Sequence, residues 1–285
     1  MRSEMLIKRF RPVVVAVCAV VLIGFADAAC GQGTQAPSTT FEPRVGQPGK
    51  DVVWVPSPEE TVAKMMEVGK INAQDFVVDL GSGDGRNVIA AAKLGARGLG
   101  VEYNNDMVEL SKKNAIKEGV TERAQFVQGD MYQADFSKAT ALALFLLPSN
   151  LTELRNKIFN LQPGTRVVLN TFSIPEWDPD ESVVLENCTS WCTVYLNIVP
   201  AKIAGTWRTS QGMEVTFTQQ YQMVTGTGKN AQGPVAVSGR LRGNELTLST
   251  GKQDFTGVVK GNTIEGTQRQ AGGGAPQQMT LTKVN

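Results

Sequence analysis

An apolar run that enters a glycine-rich turn constrains the fold of this chain more than any other feature. Residues 76–80 read Phe-Val-Val-Asp-Leu, which is typical of a strand buried on both faces of a parallel sheet. Residues 81–85 follow as Gly-Ser-Gly-Asp-Gly, and a helical pattern begins at Asn87. Glycines let the backbone bend sharply and approach a ligand closely. The sequence therefore predicts a strand–turn–helix unit that binds a small molecule at its turn.

The alternation of strands and helices continues from Asp51 to about Pro200. The first helix is predicted to open with Ser57 as N-cap, Pro58 at its first position and Glu60 completing a capping box. Strands alternating with helices form right-handed βαβ units. We therefore predict an α/β, doubly wound, mainly parallel and Rossmann-like sheet over residues 51–200. Its remaining elements are predicted as helices at 87–94 and 106–118, strands at 98–102, 124–128, 139–147 and 166–171, and a closing antiparallel hairpin at 183–199.

The sequence pattern changes after Pro200. Helical periodicity stops, and short segments in which polar and apolar residues alternate are separated by glycine-containing turns. Residues 239–246 recur as residues 257–264, and each copy has Gly-Asn between two strand-like runs. Such a dipeptide is a signal for a two-residue hairpin. We predict a small antiparallel β-barrel or half-barrel of about seven or eight strands over residues 201–285. This part has nine Lys/Arg and four Asp/Glu, which indicates a weakly basic solvated face.

The N-terminus has the pattern of an export signal. Basic residues precede an apolar run at 13–25, and Ala26-Asp27-Ala28 provides a small-residue cleavage pattern. We interpret residues 1–29 as a cleaved signal peptide, with a lipoprotein acylated at Cys30 as the second-ranked alternative. The apolar run is too short to span a bilayer comfortably, so the mature chain is predicted to have no transmembrane span. Residues 30–50 are predicted to be a disordered linker, and the protein to be exported, periplasmic or envelope-associated.

The numbers of histidines and cysteines limit the kinds of catalytic and metal site that the chain can form. The chain has no histidine, which excludes Ser-His-Asp triads and histidine metal sites, and we expect no metal. Cys188 and Cys192 flank three residues. In an oxidising compartment they either pair across a turn or remain two free thiols, and a redox-catalytic pair ranks below both. On one straight strand they would lie too far apart to pair. The net charge of +1 gives no indication of a nucleic-acid partner.

The ligand of the glycine turn follows from its spacing and its charge. Glu102 ends the next predicted strand about 20 residues after the turn, where a carboxylate accepts the ribose hydroxyls of an adenosine ligand. The turn is G-x-G-x-G, not the G-x-G-x-x-G of dinucleotide binders. Asp84 within it would repel a pyrophosphate but would tolerate a cationic sulfonium. We therefore predict S-adenosylmethionine as the cofactor.

Seven short motifs between Asp51 and Trp177 carry a family resemblance. They are V-P-S-P at 55–58, D-L-G-S-G-D-G-R at 79–86, A-A-A-K at 90–93, G-V-E-Y-N at 100–104, G-D at 129–130, L-L-P-S-N at 146–150 and F-S-I-P-E-W at 172–177. Together they resemble class I methyltransferases. More narrowly, they resemble the protein-lysine methyltransferases of the ATP-synthase-c-subunit and adenine-nucleotide-carrier type and their bacterial relatives.

This resemblance implies roles for individual residues. Asp79 and the glycines would cradle the methionine part of the cofactor, Glu102 the ribose, and Asp130 with Met131 the adenine. The full implied cofactor set is Val55, Pro56, Asp79, Gly81, Ser82, Gly83, Asp84, Gly85, Glu102, Asn104, Gly129, Asp130 and Met131. The residues implied to position the reacting groups beside the transferring methyl are Phe145, Leu147, Pro148 and Asn150.

Three functional hypotheses follow. The leading one is an exported enzyme that methylates an accessible lysine of a protein substrate. The second keeps the methyltransferase and gives it a small-molecule acceptor. The third is a non-catalytic envelope binding protein that retains the fold, because the cofactor is made in the cytosol while the signal directs the chain outward. Methyl transfer needs mainly proximity and a desolvated amine, so the lack of histidine does not count against an enzyme.

Overall fold

The computed structural model describes residues 41–230 and 233–284. They contain a seven-stranded sheet flanked by helices and a closed eight-stranded barrel, which confirms the predicted combination of folds. The predicted signal peptide at 1–29 and the alternative acylation site Cys30 lie outside the described residues. Within the described ranges, no helix has both the length and the apolar character needed to cross a bilayer.

The sheet has the order β3-β2-β1-β4-β5-β7-β6. Strands β1 to β5 are parallel, whereas β7 runs antiparallel to both β5 and β6. This arrangement confirms the mainly parallel sheet and its closing antiparallel hairpin. In chain order the elements are α1 Glu59–Val68, β1 Phe76–Leu80, α2 Arg86–Lys93, β2 Arg97–Glu102, α3 Asn105–Lys117, β3 Ala124–Gln128, β4 Ala141–Leu144, α4 Pro148–Phe159, β5 Arg166–Asn170, β6 Glu181–Val184 and β7 Thr193–Ile198.

The central strands are buried on both faces, as their apolar composition predicts. Side chains alternate between the two faces with a period of two residues. Val78 and Leu142 therefore belong to one hydrophobic cluster, while Val77 and Ala141 belong to the cluster on the opposite face. Helices cover both clusters, so the sheet forms the middle layer of three.

The strand order reverses between β1 and β4, which makes this pair a topological switch point. Ligands of open α/β sheets bind outside the carboxyl ends of the strands at such a point. Strand β1 ends directly before Gly81 and strand β4 directly before Phe145. The fold therefore brings the glycine turn and the segment after β4 to one crevice.

Two local predictions are wrong. Helix α1 begins at Glu59 with Pro58 as N-cap and has no side-chain cap; Ser57 lies one residue before the N-cap, and its hydroxyl accepts a hydrogen bond from Asn170 Nδ2 (2.9 Å). The strand predicted at 139–147 is confined to Ala141–Leu144. It stops there because Pro148 occupies the first turn of helix α4, an element that was not predicted from the sequence.

The barrel is an antiparallel, up-and-down arrangement closed by pairing of β8 with β15. Both predicted hairpins are present, with Gly243 (φ +60°) between β11 and β12 and Gly261 (φ +62°) between β13 and β14. Trp207 is fully buried at the centre of the barrel core. The strands are β8 Gly205–Thr209, β9 Glu214–Gln220, β10 Met223–Asn230, β11 Gly233–Arg242, β12 Glu245–Ser249, β13 Gln253–Lys260, β14 Thr263–Gln270 and β15 Gln277–Lys283.

The barrel packs directly on the seven-stranded sheet. Tyr221 stacks on Trp177 with ring centroids 5.2 Å apart and planes at 6°. Arg240 of β11 forms an ion pair with Asp180 (2.8 Å), beside strand β6. Since Trp177 is buried and the Asp180 side chain nearly so, this contact covers part of the sheet's core.

Residues 46–54, which we call the N-terminal loop, have a defined structure and overlap the segment predicted as a disordered linker. The backbone N–H of Gly46 donates to the carbonyl of Trp54 (2.8 Å), and the N–H of Trp54 donates to the carbonyl of Gln47 (3.0 Å). These bonds close the loop on itself. The described residues up to Lys50 thus have backbone hydrogen bonds that their composition did not indicate.

Candidate active site

The glycine turn has the backbone conformation that its composition predicts. Gly81, Gly83 and Gly85 have φ angles of +72°, +56° and +85°, which other residues rarely adopt. A Cβ on Gly83 would lie 2.6 Å from Trp54 Nε1, and one on Gly85 would lie 2.7 Å from the Phe126 ring. Glycine is therefore favoured by conformation at all three positions and required for space at Gly83 and Gly85.

Glu102 points at this turn from the end of β2. Its Oε2 accepts a hydrogen bond from the backbone N–H of Gly83 (3.0 Å), and its Oε1 accepts one from the N–H of Asn104 (2.9 Å). Each carboxylate oxygen has a second lone pair. The carboxylate is thus held rigidly at the cavity wall and can still accept hydrogen bonds from a diol.

A cavity of about 200 Å³ opens at the switch point. Its walls come from the N-terminal loop, the carboxyl ends of β1 to β5 and the loop between β6 and β7. The cofactor or positioning residues predicted from sequence that line it are Val55, Gly81, Glu102, Asn104, Gly129, Asp130, Met131, Phe145 and Leu147. These residues come from both ends of the cavity.

The other predicted site residues lie behind this wall. Asp84 forms an ion pair with Arg86 (2.5 Å), and Arg86 also donates to the Ser57 carbonyl. The guanidinium two residues along the chain therefore neutralises the carboxylate that was expected to face a cationic ligand. The predicted residues that are absent from the described cavity wall are Pro56, Asp79, Ser82, Gly83, Asp84, Gly85, Pro148 and Asn150.

Asp79 is buried beneath the turn and is 3% exposed. Burial raises the pKa of this carboxyl well above its usual range; a hydrogen bond from Asn87 Nδ2 (3.1 Å) opposes the rise, while the charges of Glu102 and Asp84 add to it. Asp79 therefore supports the turn from below and does not form part of the cavity wall.

Asn150 lies on helix α4, where its Nδ2 donates to the Tyr132 hydroxyl (2.8 Å). Its Oδ1 is buried and has no hydrogen-bond partner among the described residues, as is also true of Ser82 Oγ. Buried polar atoms normally have partners. Neither residue lines the described cavity, so both atoms lie in the interior of the protein without a described partner.

The N-terminal loop forms a cavity wall that was not predicted from the sequence. Lys50 Nζ pairs with Asp130 (3.1 Å) and Asp51 (3.2 Å) and lies 5.4 Å from the centroid of the Tyr103 ring. The hydrogen bonds to Asp130 and Asp51 raise the pKa of Lys50. The pKa of Asp130 is lowered, first by the backbone N–H of Tyr132 and then by Lys50. This pair ties the loop to the segment after β3, and only the adjoining V-P-S-P motif pointed towards this region.

Three aromatic rings form the other end of the cavity. Phe145 directly follows β4, Phe172 is the second residue after β5, and Trp191 lies in the β6–β7 loop. Phe145 is 6.3 Å from Phe172 and 5.3 Å from Trp191, and Phe172 is 6.2 Å from Trp191, measured between ring centroids. We call these three residues the aromatic cluster. Phe145 alone was predicted as a site residue. Phe172 begins the F-S-I-P-E-W motif but had no implied role, and Trp191 lies outside the quoted motifs.

The loop that carries Trp191 is closed by a disulfide. Cys188 and Cys192 are bonded, with their Cα atoms 5.6 Å apart, across a turn between β6 and β7. Of the alternatives that the sequence left open for these cysteines, the structure thus shows the disulfide. The turn brings the two cysteines within bonding distance, which an extended strand would not.

The cavity fits a phosphate-free nucleoside with a positive charge. Glu102 is placed for a ribose, and the glycines give the backbone close access to the ligand. Among the described residues that line the cavity, Lys50 is the only Lys or Arg, and two carboxylates neutralise it. A pyrophosphate would thus find no free cation, whereas a sulfonium would find aromatic faces and acids. The fold and this site define a class I, S-adenosylmethionine-dependent methyltransferase.

Comparison with known proteins shows which methyltransferases this chain is similar to. The model of the ANTKMT methyltransferase domain family matches residues 79–181. A protein-lysine N-methyltransferase of Saccharolobus islandicus is 40% identical over 151 residues, which cover 52% of this chain and 94% of that protein. A lysine N-methyltransferase of the ATP synthase c-subunit, from Rattus norvegicus, is 37% identical over 124 residues, 43% of this chain and 56% of that protein.

A crystal structure of an RNA methyltransferase from Salinibacter ruber, in complex with S-adenosyl-L-homocysteine, is 44% identical, covers 52% of this chain and 96% of that one, and has a TM-score of 0.49. The extent of the Saccharolobus match is decisive, because it spans nearly the whole of that relative. The chain belongs to the family of protein-lysine N-methyltransferases.

Proposed function

We propose that this protein transfers a methyl group from S-adenosylmethionine to the side-chain amine of a lysine on a protein substrate. One observation carries the proposal: a single cavity is lined both by Glu102, at the end of β2, and by the aromatic cluster, which lies on the other side of β1 in the strand order. The names of the Saccharolobus and rat relatives support a lysine acceptor. The chain spans about half the length of the rat relative, so the particular substrate is part of the proposal.

The cofactor would lie along the cavity from Glu102 towards Phe145. Glu102 would accept hydrogen bonds from the ribose hydroxyls, Gly81 would give backbone access to the methionine part, and Asp130 with Met131 would border the adenine. When bound, S-adenosylmethionine supplies a methyl group on a sulfonium for in-line displacement. The residues of this chain hold and align the two reactants; none of them needs to form a covalent intermediate.

The acceptor amine must lose its proton before it can react. A lysine amine has a pKa of about 10.4 in water, and a desolvated position lowers that pKa. The rings of Phe145 and Phe172, together with Leu147, provide such an apolar surrounding at the cavity end. This route needs no general base of the histidine type, in keeping with a chain that has no histidine.

The rim of the cavity supports a polypeptide as the partner. Leu147 is 39% exposed, Trp191 37% and Val53 50%, and all three line the cavity. Clustered exposed apolar side chains mark surfaces where another molecule binds. A lysine in a peptide with apolar neighbours would match this rim.

Location outside the cytoplasm is a further part of the proposal. It is supported by the basic and apolar pattern of residues 1–29 and by the disulfide between Cys188 and Cys192, since disulfides persist mainly in oxidising compartments. Fractionation of the native host, with detection of the mature protein and of its N-terminus by mass spectrometry, tests it. Recovery of the uncleaved chain in the cytosolic fraction would overturn it.

The decisive experiment on activity uses tritiated S-adenosylmethionine, the purified protein without residues 1–29, and an unfractionated host lysate. We expect label on a protein band and methyl-lysine after acid hydrolysis. Label on RNA, the acceptor named for the Salinibacter relative, or on a small metabolite would overturn a lysine acceptor, and no label would support a binding protein. Glu102→Ala serves as the inactive variant, and Glu109→Gln, on the exposed side of α3, as its matched control.

A further inference from the structure

We propose that Trp191 is a substrate-binding residue and that the Cys188–Cys192 disulfide makes the acceptor site dependent on redox state. In this view the aromatic cluster receives the lysine ammonium before transfer, and Trp191 forms its third wall only while the loop is oxidised. The inference rests on the proposed function and assigns the acceptor end of its cavity. It extends to a residue outside the region matched by the family model, residues 79–181.

The geometry of the rings suits a cation. The three centroids lie 5.3–6.3 Å from one another, and the Trp191 ring is inclined by 61° to Phe145 and by 55° to Phe172. Inclined rings present different faces to the space that they border. A cation within about 6 Å of a ring centroid is attracted by the face, most strongly by that of tryptophan. The methylene stem of a lysine would contact Leu147 beside the cluster.

No lysine of this chain takes that place among the described residues. Lys50, the only lysine among the described residues of the cavity wall, is paired with Asp51 and Asp130 and lies near the Tyr103 and Tyr132 rings, away from the aromatic cluster. The aromatic cluster is open at Trp191, which is 37% exposed. An ammonium from another molecule can therefore reach it.

The backbone of Trp191 is held in an uncommon conformation. Its φ is +58°, in the left-handed region that bulky residues rarely occupy. Such a conformation persists where the surroundings impose it. Three contacts do so here: the disulfide that closes the loop, a hydrogen bond from Thr61 Oγ1 to the Trp191 carbonyl (3.1 Å), and the packing of the indole on Phe145.

Reduction removes one of these contacts. Dithiothreitol supplies two electrons and two protons, so that Cys188 and Cys192 become thiols and the reagent becomes a cyclic disulfide. The loop then loses its covalent closure, and Trp191 is free to leave its left-handed conformation. The rest of the cavity, including Glu102 at the end of β2, does not depend on the loop. Reduction should therefore weaken acceptor binding and leave cofactor binding unchanged.

The test measures the binding of Nα-acetyl-L-lysine amide to the full mature chain by ligand-observed NMR, with S-adenosyl-L-homocysteine present. A second, protein-observed NMR experiment follows the indole signal of Trp191, which is one of four tryptophans in the chain. We expect saturable binding that shifts this signal, and weaker binding of the neutral Nα-acetyl-L-norleucine amide. Trp191→Ala, the Cys188→Ser/Cys192→Ser variant and dithiothreitol should each weaken lysine amide binding roughly five- to thirtyfold.

Two controls separate this role from a general loss of structure. S-adenosyl-L-homocysteine affinity should stay within about twofold in every variant, and Val184→Ala, an exposed position on β6, should bind the lysine amide like the wild type. Combining Trp191→Ala with the cysteine substitutions should give no further loss, because the disulfide acts through Trp191. Equal binding of lysine and norleucine amides, or unchanged binding after reduction, would overturn the inference. Lysine methylation that persists alongside such results would leave the proposed function standing.

Discussion

The carboxylate of Glu102 accepts a hydrogen bond from the backbone N–H of Gly83, with 3.0 Å between Oε2 and the nitrogen. The bond joins the end of β2 to the turn after β1. It fixes the carboxylate at the edge where the nucleoside of the cofactor is expected. The same group thus stabilises the glycine turn and forms part of the proposed ribose site.

Glu102→Ala should weaken S-adenosylmethionine binding at least tenfold, by about 1.4 kcal/mol or more. The substitution removes the ribose acceptor and leaves the N–H groups of Gly83 and Asn104 without their partner. Isothermal titration calorimetry measures the change. Glu109→Gln, on the exposed face of α3, should bind like the wild type. Equal affinities of Glu102→Ala and the wild type would exclude Glu102 from the cofactor site.

Asp79→Asn should raise thermal stability at pH 8 and have little effect near pH 3.5. The pKa of Asp79 is raised in the folded protein, so the folded state holds a proton that the unfolded state releases above about pH 3.9. The stability of the wild type therefore falls as the pH rises from that value to the folded pKa. An amide avoids this cost and can still accept from Asn87. We expect a melting temperature higher by about 2–4 °C, or about 1 kcal/mol.

Asp135→Asn provides a control with the opposite sign. The backbone N–H of Ser137 lowers the pKa of Asp135, so its charged form stabilises the folded state above the unfolded pKa and this effect disappears in acid. The variant should lose stability at pH 8 and approach the wild type near pH 3. A lower melting temperature of Asp79→Asn at pH 8 would show that the Asp79 carboxylate is stabilising.

Features encoded within one element were predictable from the sequence. The apolar strand ending at Leu80, the glycine turn and the carboxylate of Glu102 about one βα unit later indicate the sheet and the nucleoside end of the site. The Gly-Asn repeats at Gly243 and Gly261 indicate the barrel hairpins in the same way. Each signal is local, so its interpretation does not depend on the path of the chain elsewhere.

Features made by distant segments were not predictable. Trp191 and Phe172 meet Phe145 only because β7 inserts between β5 and β6. The N-terminal loop has a linker-like composition and is ordered by backbone bonds and by the Lys50–Asp130 pair, across 80 residues. The ion pair of Asp84 with its near neighbour Arg86 was not predicted either, because the sequence does not show where the two side chains point.

Lys50→Met should speed the release of S-adenosyl-L-homocysteine roughly two- to fivefold. The substitution breaks the ion pair that holds the N-terminal loop against Asp130, and a partly exposed pair has a modest effect. Stopped-flow fluorescence measures the rate, and Lys64→Met, which breaks an exposed pair on α1, is the control. A release rate equal to that of the wild type would show that the Lys50–Asp130 pair, which ties this cavity wall to the segment after β3, does not retain the ligand.

The Lys50–Asp130 pair also predicts how release depends on pH. Asp130 has a lowered pKa, so the pair is lost only as the pH falls below 3.8; Lys50 has a raised pKa, so it is lost only above 10.5. The ratio of the Lys50→Met rate to the wild-type rate should therefore be constant between about pH 5 and pH 9. A ratio that changes within this range would point to another titrating group.

Arg240→Ala should lower the stability of the whole protein by about 2 kcal/mol. The Asp180 side chain is 2% exposed, and without Arg240 its charge would retain the backbone N–H of Ile198 (2.7 Å) as its described partner. Adding Asp180→Asn should restore part of the loss, because no buried charge remains. Arg208→Ala, which breaks an exposed pair within the barrel, should change stability by less than about 0.5 kcal/mol. If the barrel supports the sheet through this contact, calorimetry will show a single unfolding transition, and Arg240→Ala will move it to lower temperature. Two separate transitions in the wild type would show that the barrel and the sheet unfold independently.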